Sequence, residues 1–216
     1  MNIRQLLLVS ILCVSCNKRL SVDKTQVLPF YNSAEFTPEW ISKSDEKYNK
    51  IHTIASFQFT NQNGKLIRNK DFEGKIYIAD FFFTTCPSIC PILAKNMAAI
   101  QESYKNDDDI LLLSHSVMPW EDTVQKIKEY AIEKKAIDRK WHLVTGDRDE
   151  IYNIARTSYF ADKDFKNTND KSAFIHTENF VLVDKKGRIR GVYNGTLGLD
   201  IQRLKRHIEI LKKEKN

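Results

Sequence analysis

Hydrophobic and polar positions repeat along the chain with two periods, which predict strands and helices in turn. Continuous apolar runs at residues 75–83 and 110–117 indicate strands buried on both faces, and residues 141–145 form a third, shorter strand. Elsewhere apolar residues recur every three or four positions, as expected for helices with one buried face. Residues 159–172 are mostly polar and predict a long loop. The predicted helices cover residues 88–104, 122–135, 147–157 and 201–211.

Turn-forming residues predict two hairpins. Residues 63–64 (Asn-Gly) follow an alternating, strand-like stretch at 52–59, and residues 185–187 join two strands at 180–184 and 188–193. Strands alternate with helices before this last hairpin, and a helix ends the chain. We therefore predict an α/β fold: a mixed central sheet flanked by helices, with a terminal β-hairpin and a C-terminal helix.

The N-terminus has the pattern of an export signal. Arg4 supplies a positive start, and residues 6–14 are a short apolar run, well below the ~20 apolar residues that span a bilayer. Ser15 and Cys16 resemble a bacterial lipoprotein cleavage site, where cutting leaves Cys16 as the N-terminal residue and the point of lipid attachment.

These signals predict three segments along the chain. Residues 1–15 are a signal peptide, residues 16–50 are a lipid-anchored tether with an irregular arm, and residues 51–216 are one domain. The expected location is the bacterial cell envelope. There the protein is anchored to the membrane by its lipid and faces the periplasm or the outside.

Composition narrows the classes of function. The 216 residues include 34 Lys+Arg and 28 Asp+Glu, a net charge of +6, with 42% hydrophobic and 29% charged residues. These fractions suit a folded domain and exclude a disordered or collagen-like chain. The basic excess is mild and spread along the chain, so we expect no nucleic-acid partner. The sequence motifs of phosphate-binding loops, serine hydrolases and zinc proteases are absent.

Two cysteines remain available for chemistry once the export signal is set aside. If Cys13 leaves with the signal and Cys16 carries lipid, the mature chain keeps Cys86 and Cys90. They lie where the buried strand 75–83 passes into a helix, at the sheet edge where ligands bind in α/β folds. Their spacing is about one helical turn, and the helix N-terminus favours thiolates. Two thiolates form a soft chelate that suits Cu(I) or Zn(II).

A metal site of this kind needs a third ligand, and the chain contains five histidines. His176 opens the first strand of the terminal hairpin, and His115 ends the second buried strand near the same sheet edge. The other histidines lie at strand beginnings or on a helix, away from that edge: His52, His142 and His207. Position alone leaves both His176 and His115 as candidates for the third ligand.

The sequence Asp-Phe-Phe-Phe-Thr-Thr-Cys-Pro-Ser-Ile-Cys-Pro at residues 80–91, with His176 downstream, closely resembles the Sco/SenC family. The likeness extends over residues 57–211. Members of that family are thioredoxin-like, membrane-tethered copper chaperones for the CuA centre of cytochrome c oxidase. The resemblance implies a thioredoxin-like fold, a bound copper ion, and Cys86, Cys90 and His176 as its ligands. It also implies that the partner is cytochrome c oxidase subunit II or another exported cuproprotein.

Two positions depart from the family pattern. Met118 stands where the family usually has the Asp of Val-Asp-Pro, and it either packs or gives copper a soft extra contact. Asp80 lies six residues before Cys86, where the family commonly has an uncharged residue. Thioredoxin-like redox enzymes carry a buried Asp at that offset, where it helps to move a thiol proton. Asp80 is therefore either a proton acceptor for the cysteine pair or a hydrogen-bonded strand residue.

Three functions fit these residues. In the first, the Cys86–Cys90–His176 site holds copper and passes it to a protein acceptor by ligand exchange. In the second, the chain is a thiol–disulfide oxidoreductase for exported cuproprotein or cytochrome thiols, with Asp80 assisting the cysteines. The two can be stages of one cycle, because a disulfide cannot bind metal. The third is zinc hydrolysis, for which Glu178 is the nearest acid/base candidate. We expect a metallochaperone first, with reductase activity as the alternative.

Overall fold

Strands and helices alternate through the described part of the chain, which comprises residues 27–162, 175 and 177–214 of a computed structural model. The strands are β1 (Phe30–Tyr31), β2 (Pro38–Glu39), β3 (Gln58–Asn61), β4 (Leu66–Arg68), β5 (Ile76–Phe82), β6 (Ile110–Ser116), β7 (Trp141–Thr145), β8 (Asn179–Val183) and β9 (Ile189–Asn194). The α-helices are α1 (Cys90–Ser103), α2 (Val124–Glu133), α3 (Arg148–Thr157) and α4 (Gly198–Lys213). Short 3-10 helices cover Glu46–Lys50 and Asn69–Phe72.

Seven strands form one mixed sheet in the order β4-β3-β7-β6-β5-β8-β9, and β1 and β2 form a separate two-stranded sheet. Strands β5, β6 and β7 are parallel, whereas β8 runs antiparallel to β5 and β3 antiparallel to β7. Every residue of β5 and β6 is buried, as the continuous apolar runs predict. The predicted α/β architecture, with its terminal hairpin and final helix, is confirmed.

The two faces of the sheet contact different helices. Along β5, Ile78 and Phe82 pack in one core cluster with residues of α1, α2 and α4. Ala79 and Phe81 point the other way and pack with residues of α3. The parallel register pairs Phe82 with Ser116, so β5 and β6 end at the same edge of the sheet. That edge holds the cysteine pair.

Two segments differ from the sequence-based prediction. The alternating stretch 52–59 is a strand only from Gln58 onward. Before it, the backbone N–H of Ile54 donates to Gly187 O and that of Ala55 donates to Ser158 Oγ, so its apolar residues pack without a strand ladder. In the predicted polar loop, Tyr159 is fully buried and its hydroxyl contacts the Tyr77 hydroxyl at 3.1 Å. Residues 163–172 of that loop lie outside the described residues.

The N-terminal arm packs against the domain from Leu28 onward. Leu28 and Phe30 are buried, and the Arg190 guanidinium donates to the carbonyls of Leu28 and Pro29. The same guanidinium pairs with Asp184 and Glu214. The predicted signal peptide, residues 1–15, and Cys16 lie outside the described residues. None of the helices within the described ranges is long and apolar enough to cross a bilayer.

Candidate metal centre

The candidate site lies where β5 passes into α1. After Phe82 the chain forms an irregular loop, and α1 begins at Cys90 with Pro91 next to it. Proline suits the first turn of a helix because its fixed φ is already helical and its missing N–H would have no partner there. Cys90 is buried against the helix side of the sheet, whereas Cys86 is partly exposed in the loop.

The two cysteines are free thiols in contact with each other. Burial raises the pKa of Cys90, and its hydrogen bond to Cys86 raises it further, to about 12. Burial acts in the same direction on Cys86. There, however, the bond from Cys90 and the backbone N–H groups of Ser88, Ile89 and Cys90 outweigh it and lower the pKa. The arrangement therefore stabilises one thiolate, on the partly exposed sulfur.

A cavity of about 420 Å³ opens beside the cysteine pair. Its walls are mostly apolar and are formed by Phe81, Phe83, Cys86, Pro87, Ser88, Ile89, Cys90, Val117, Ile175 and Thr177. Ile175 and Thr177 precede and follow His176 in the sequence. His176 itself lies outside the described residues, so its assignment as a ligand stays a prediction.

Asp80 is a buried carboxyl group on the same face of β5 as Ile78 and Phe82, the face against which Cys90 packs. Burial raises its pKa to about 7, although a hydrogen bond from Ser114 acts in the opposite direction. Ser114 Oγ in turn accepts a 2.8 Å hydrogen bond from Trp141 Nε1. Oδ1 of Asp80 has no hydrogen-bond partner among the described residues. The oxygen without a partner among the described residues fits the proton-acceptor hypothesis, whereas the Ser114 bond fits the structural alternative.

His115, the other histidine near this edge, lies on the opposite face of the sheet. Its ring stacks on Phe81 at 5.2 Å between ring centroids and contacts Phe59 and Tyr159 edge-on or tilted. Burial lowers its pKa to about 3, although the nearby backbone of Asp80 acts in the opposite direction. By hydrogen-bond geometry, neither ring nitrogen has a partner within the described ranges. It does not line the cavity beside the cysteines. The structure therefore leaves His115 as a neutral core residue.

The remaining histidines are engaged elsewhere. His52 Nε2 contacts Ser158 O at 2.8 Å, and His207 Nδ1 contacts the Tyr193 hydroxyl at 2.7 Å. His142 is buried, and its Nδ1 lies 3.3 Å from the side-chain amide of Asn61. Across the described ranges, no group of three His, Cys, Asp or Glu side chains is placed to hold a metal ion. Any third His, Cys, Asp or Glu ligand that completes a site with Cys86 and Cys90 therefore comes from outside these ranges.

Two further sequence candidates lie away from the cavity lining. Met118 is half-buried, and its backbone N–H donates to Ser116 Oγ at 3.2 Å. Glu178 is exposed. Neither side chain is among those that form the walls beside the cysteines.

One residue at this edge was missed by the sequence-based reasoning. Asp122 looked like the start of a helix, but the N-cap of α2 is Thr123, and Asp122 is fully buried. Its carboxylate contacts Thr84 and Ser116 near the cysteine loop. An Asp next to a Thr N-cap carries no sequence signal that separates these roles, since both residue types are common at helix starts.

The family model described as SCO1/SenC matches residues 45–211. A SCO1/SenC family lipoprotein from Bacillus anthracis str. Ames is similar to this chain, with 28% identity and a TM-score of 0.64. The alignment covers 75% of this chain and 96% of that protein.

Two other solved structures carry information about chemistry. BsSco, described as having a disulfide switch and as a member of the Sco family of cytochrome c oxidase assembly proteins, is 25% identical, with a TM-score of 0.64 and coverage of 76% and 96% of the two chains. ScoI of Bradyrhizobium japonicum, solved with copper bound, is 26% identical, with a TM-score of 0.55 and coverage of 71% and 98%.

Proposed function

The chain belongs to the SCO1/SenC family, and we propose that it is an exported, membrane-tethered copper chaperone that metallates the CuA site of cytochrome c oxidase. The observation that carries this proposal is the pair of free, touching thiols of Cys86 and Cys90 beside an open, mostly apolar cavity. Sulfur donors of this kind favour a soft ion over Mg²⁺ or Ca²⁺. Copper bound in ScoI of Bradyrhizobium japonicum supports the choice of ion.

In the proposed site, copper is cargo held by Cys86, Cys90 and His176. Because the Cys86 thiolate is the one favoured by its surroundings, it is suited to bind the metal first. The buried Cys90 follows and must lose a proton on binding. The third position is argued from Ile175 and Thr177, which line the cavity on either side of His176 in sequence.

The acceptor is proposed to be subunit II of cytochrome c oxidase or another exported cuproprotein. The description of BsSco as a cytochrome c oxidase assembly protein supports the first choice. Transfer occurs by ligand exchange, in which an acceptor ligand binds copper on the open side of the site while a ligand of this chain leaves. Cys86 is the partly exposed ligand, so an incoming donor reaches copper from its side.

We further propose that Cys16 carries the lipid that attaches the protein to the membrane, on the periplasmic or outer side. The description of the Bacillus anthracis relative as a lipoprotein supports this. Residues 16–50 are then the tether and arm between the lipid and the domain that begins at residue 51. Residues 1–15 are removed as the signal peptide. Exported in this way, the protein has no nucleic-acid partner.

A second function is favoured by one observation. The buried Asp80 carboxyl lies on the side of the sheet where Cys90 packs, and one of its oxygens has no hydrogen-bond partner among the described residues. In this reaction the Cys86 thiolate attacks an acceptor disulfide, forming a mixed disulfide and releasing one acceptor thiolate. Asp80 takes the Cys90 proton, and Cys90 sulfur attacks Cys86 sulfur. The mixed disulfide breaks, the acceptor has gained two electrons, and the Cys86–Cys90 disulfide has formed. Reducing an acceptor's thiols before metallation would join both functions in one cycle.

Anaerobic Cu(I) titration of the reduced mature chain carrying Cys16→Ser distinguishes the two functions. A copper carrier retains one copper per chain, and both remaining thiols become protected from a thiol reagent. A pure reductase reduces a disulfide substrate but retains no copper after passage through a desalting column. Cys86→Ser and Cys90→Ser are the matched controls, since each should lose both activities. Failure of the reduced chain to retain copper contradicts the chaperone proposal.

A further inference from the structure

A single buried carboxylate joins three segments around the cysteine pair. Asp122 is 0% exposed and lies between the end of β6 and the N-cap of α2, Thr123. Its own backbone N–H donates to Met118 O at 2.8 Å, which closes the turn after β6. The carboxylate therefore points from this hydrogen-bonded turn into the protein interior.

Most of the hydrogen bonds of this carboxylate are with Thr84, two residues before Cys86. The Thr84 hydroxyl donates to Asp122 Oδ1 at 2.6 Å, and the Thr84 backbone N–H lies 3.3 Å from each carboxylate oxygen. Hydrogen bonds to an ionised acceptor are roughly twice as strong as those between neutral groups. They attach the beginning of the cysteine loop to a segment 38 residues further along the chain.

The other contact ties the same carboxylate to the end of β6. Ser116 Oγ donates to Asp122 Oδ2 at 2.5 Å and accepts the backbone N–H of Met118 at 3.2 Å. Ser116 is paired with Phe82, the last residue of β5. Asp122 thus connects the ends of both central strands to the loop that carries Cys86.

We infer that Asp122 is a positioning residue for the cysteine pair, acting on Cys86 through Thr84. A buried carboxylate without its donors is costly, so the loop is held in the conformation that supplies them. That conformation places the Cys86 sulfur against Cys90 and the N–H groups of Ser88 and Ile89. The inference rests on the proposed function only for its copper measurement, because the geometry of a dithiol can be tested without metal.

The alternative is that Asp122 only stabilises the fold. A merely structural role predicts a lower free energy of unfolding and no selective change at the cysteines. The reduction potential of the Cys86–Cys90 couple separates the two, since it reports how the folded protein positions both sulfurs. The absorption spectrum of the copper complex gives a second, independent measure of the same geometry.

The test compares Asp122→Asn and Thr84→Val with Thr123→Ala. The first two remove an acceptor charge or a donor hydroxyl from the Asp122–Thr84 contact. Thr123→Ala removes the neighbouring helix cap, whose hydroxyl accepts from Lys126 N, and leaves that contact intact. It should lower stability through the lost helix cap, so it controls for destabilisation at the same turn.

We expect Asp122→Asn and Thr84→Val to change the dithiol–disulfide equilibrium constant, measured against dithiothreitol, in the same direction and by about tenfold, or about 30 mV. Copper affinity should fall at least about tenfold in both, as for losses of a metal ligand's supporting partners. Thr123→Ala should leave the potential and the copper spectrum unchanged. If Asp122→Asn does not fold, Thr84→Val still tests the inference.

A potential that stays at the wild-type value in Asp122→Asn and in Thr84→Val would overturn the inference. Absence of copper binding in the wild-type chain would instead contradict the proposed function. The potential measured without metal would still decide the role of Asp122.

Discussion

The Cys90 thiol donates a hydrogen bond to the sulfur of Cys86, and this contact makes the two cysteines unequal. Cys86 is partly exposed and its pKa is lowered, whereas Cys90 is buried and its pKa is raised to about 12. Of the two sulfurs, Cys86 therefore loses its proton more readily and is the one that a metal or an acceptor disulfide reaches first. The proton on Cys90 has to leave before the second sulfur can react, and Asp80 is its proposed acceptor.

The proposed ligand set predicts an order of copper affinities. His176→Ala removes one of three ligands and should weaken Cu(I) binding at least as much as the 10–100-fold typical for loss of a ligand's supporting partner. Cys86→Ser or Cys90→Ser should weaken it more, because a neutral hydroxyl is a poor ligand for a soft ion. Competition with a chromophoric Cu(I) chelator measures all three. Of the three variants, only His176→Ala should still oxidise its cysteine pair to a disulfide as the wild type does.

The matched control for His176→Ala is His115→Phe. It removes an imidazole and keeps an aromatic ring in contact with Phe81. Copper affinity should match wild type. Wild-type affinity in His176→Ala, combined with a loss in His115→Phe, would mean that the wrong histidine has been assigned.

The proposed lipid at Cys16 predicts a change of location without a change of chemistry. Cys16→Ser should move the protein from the membrane to the soluble fraction, because a lipid chain is its proposed apolar attachment. Copper affinity should be unaffected. Retention of Cys16→Ser in washed membranes at high salt would argue for an uncleaved N-terminal helix instead.

Asp80→Asn should slow thiol–disulfide exchange, because the amide cannot accept the Cys90 proton. The effect should appear in the resolution of a trapped mixed disulfide at Cys86 and leave its formation unchanged. Stopped-flow measurement with a disulfide substrate distinguishes the two steps. Equal resolution rates in the variant and the wild type would leave Asp80 as a structural residue.

The same substitution has a predicted pH signature in stability. The pKa of Asp80 is raised from 3.8 to about 7, so the folded protein holds its proton over a range where the unfolded chain does not. The contribution of protonated Asp80 to the free energy of unfolding is full below pH 4. It is lost as pH rises through 7, by at most about 1.4 kcal/mol per pH unit. Urea unfolding should therefore show wild type losing stability relative to Asp80→Asn between pH 4 and pH 8.

For His115, stability is predicted to change with pH in the opposite direction. Its pKa is lowered from 6.5 to about 3, so the unfolded chain binds a proton more readily than the folded protein. The contribution of neutral His115 is full above pH 6.5 and is lost as pH falls towards 3, again by at most about 1.4 kcal/mol per unit. His115→Phe should shift the acid-unfolding midpoint to lower pH. An unchanged midpoint would mean that the ring is hydrated or paired.

Arg190 attaches the N-terminal arm to the rest of the domain, so its loss should release the arm. Its guanidinium, 2% exposed, binds two arm carbonyls and pairs with Asp184 and Glu214. Arg190→Met leaves these groups without their cation and should cost about 3–5 kcal/mol of stability. Limited proteolysis should then cut within residues 28–50 faster. Arg203→Met, which removes a partly exposed pair with Asp200, should cost no more than about 1 kcal/mol.

Much of the fold and part of the candidate site are determined by the sequence alone. Apolar runs predicted β5 and β6, and a strand–turn–strand pattern predicted the final hairpin. The spacing of Cys86 and Cys90 at a strand–helix boundary placed the thiols together. These features depend on residues that are close together in the sequence or on one repeated spacing of apolar residues. The local sequence is therefore enough to predict them.

What only the tertiary structure decided depends on segments that are far apart in the chain. His115 and Ser116 are neighbours in sequence, yet only the tertiary structure shows that His115 stacks on Phe81 while Ser116 bonds to Asp122 near the cysteine loop. Tyr159 is buried in a stretch of polar composition because it meets Tyr77. Asp122 reaches Thr84 only because β5 and β6 are parallel and in register. Periodicity specifies which residues are buried, but strand register and helix packing decide which buried groups meet.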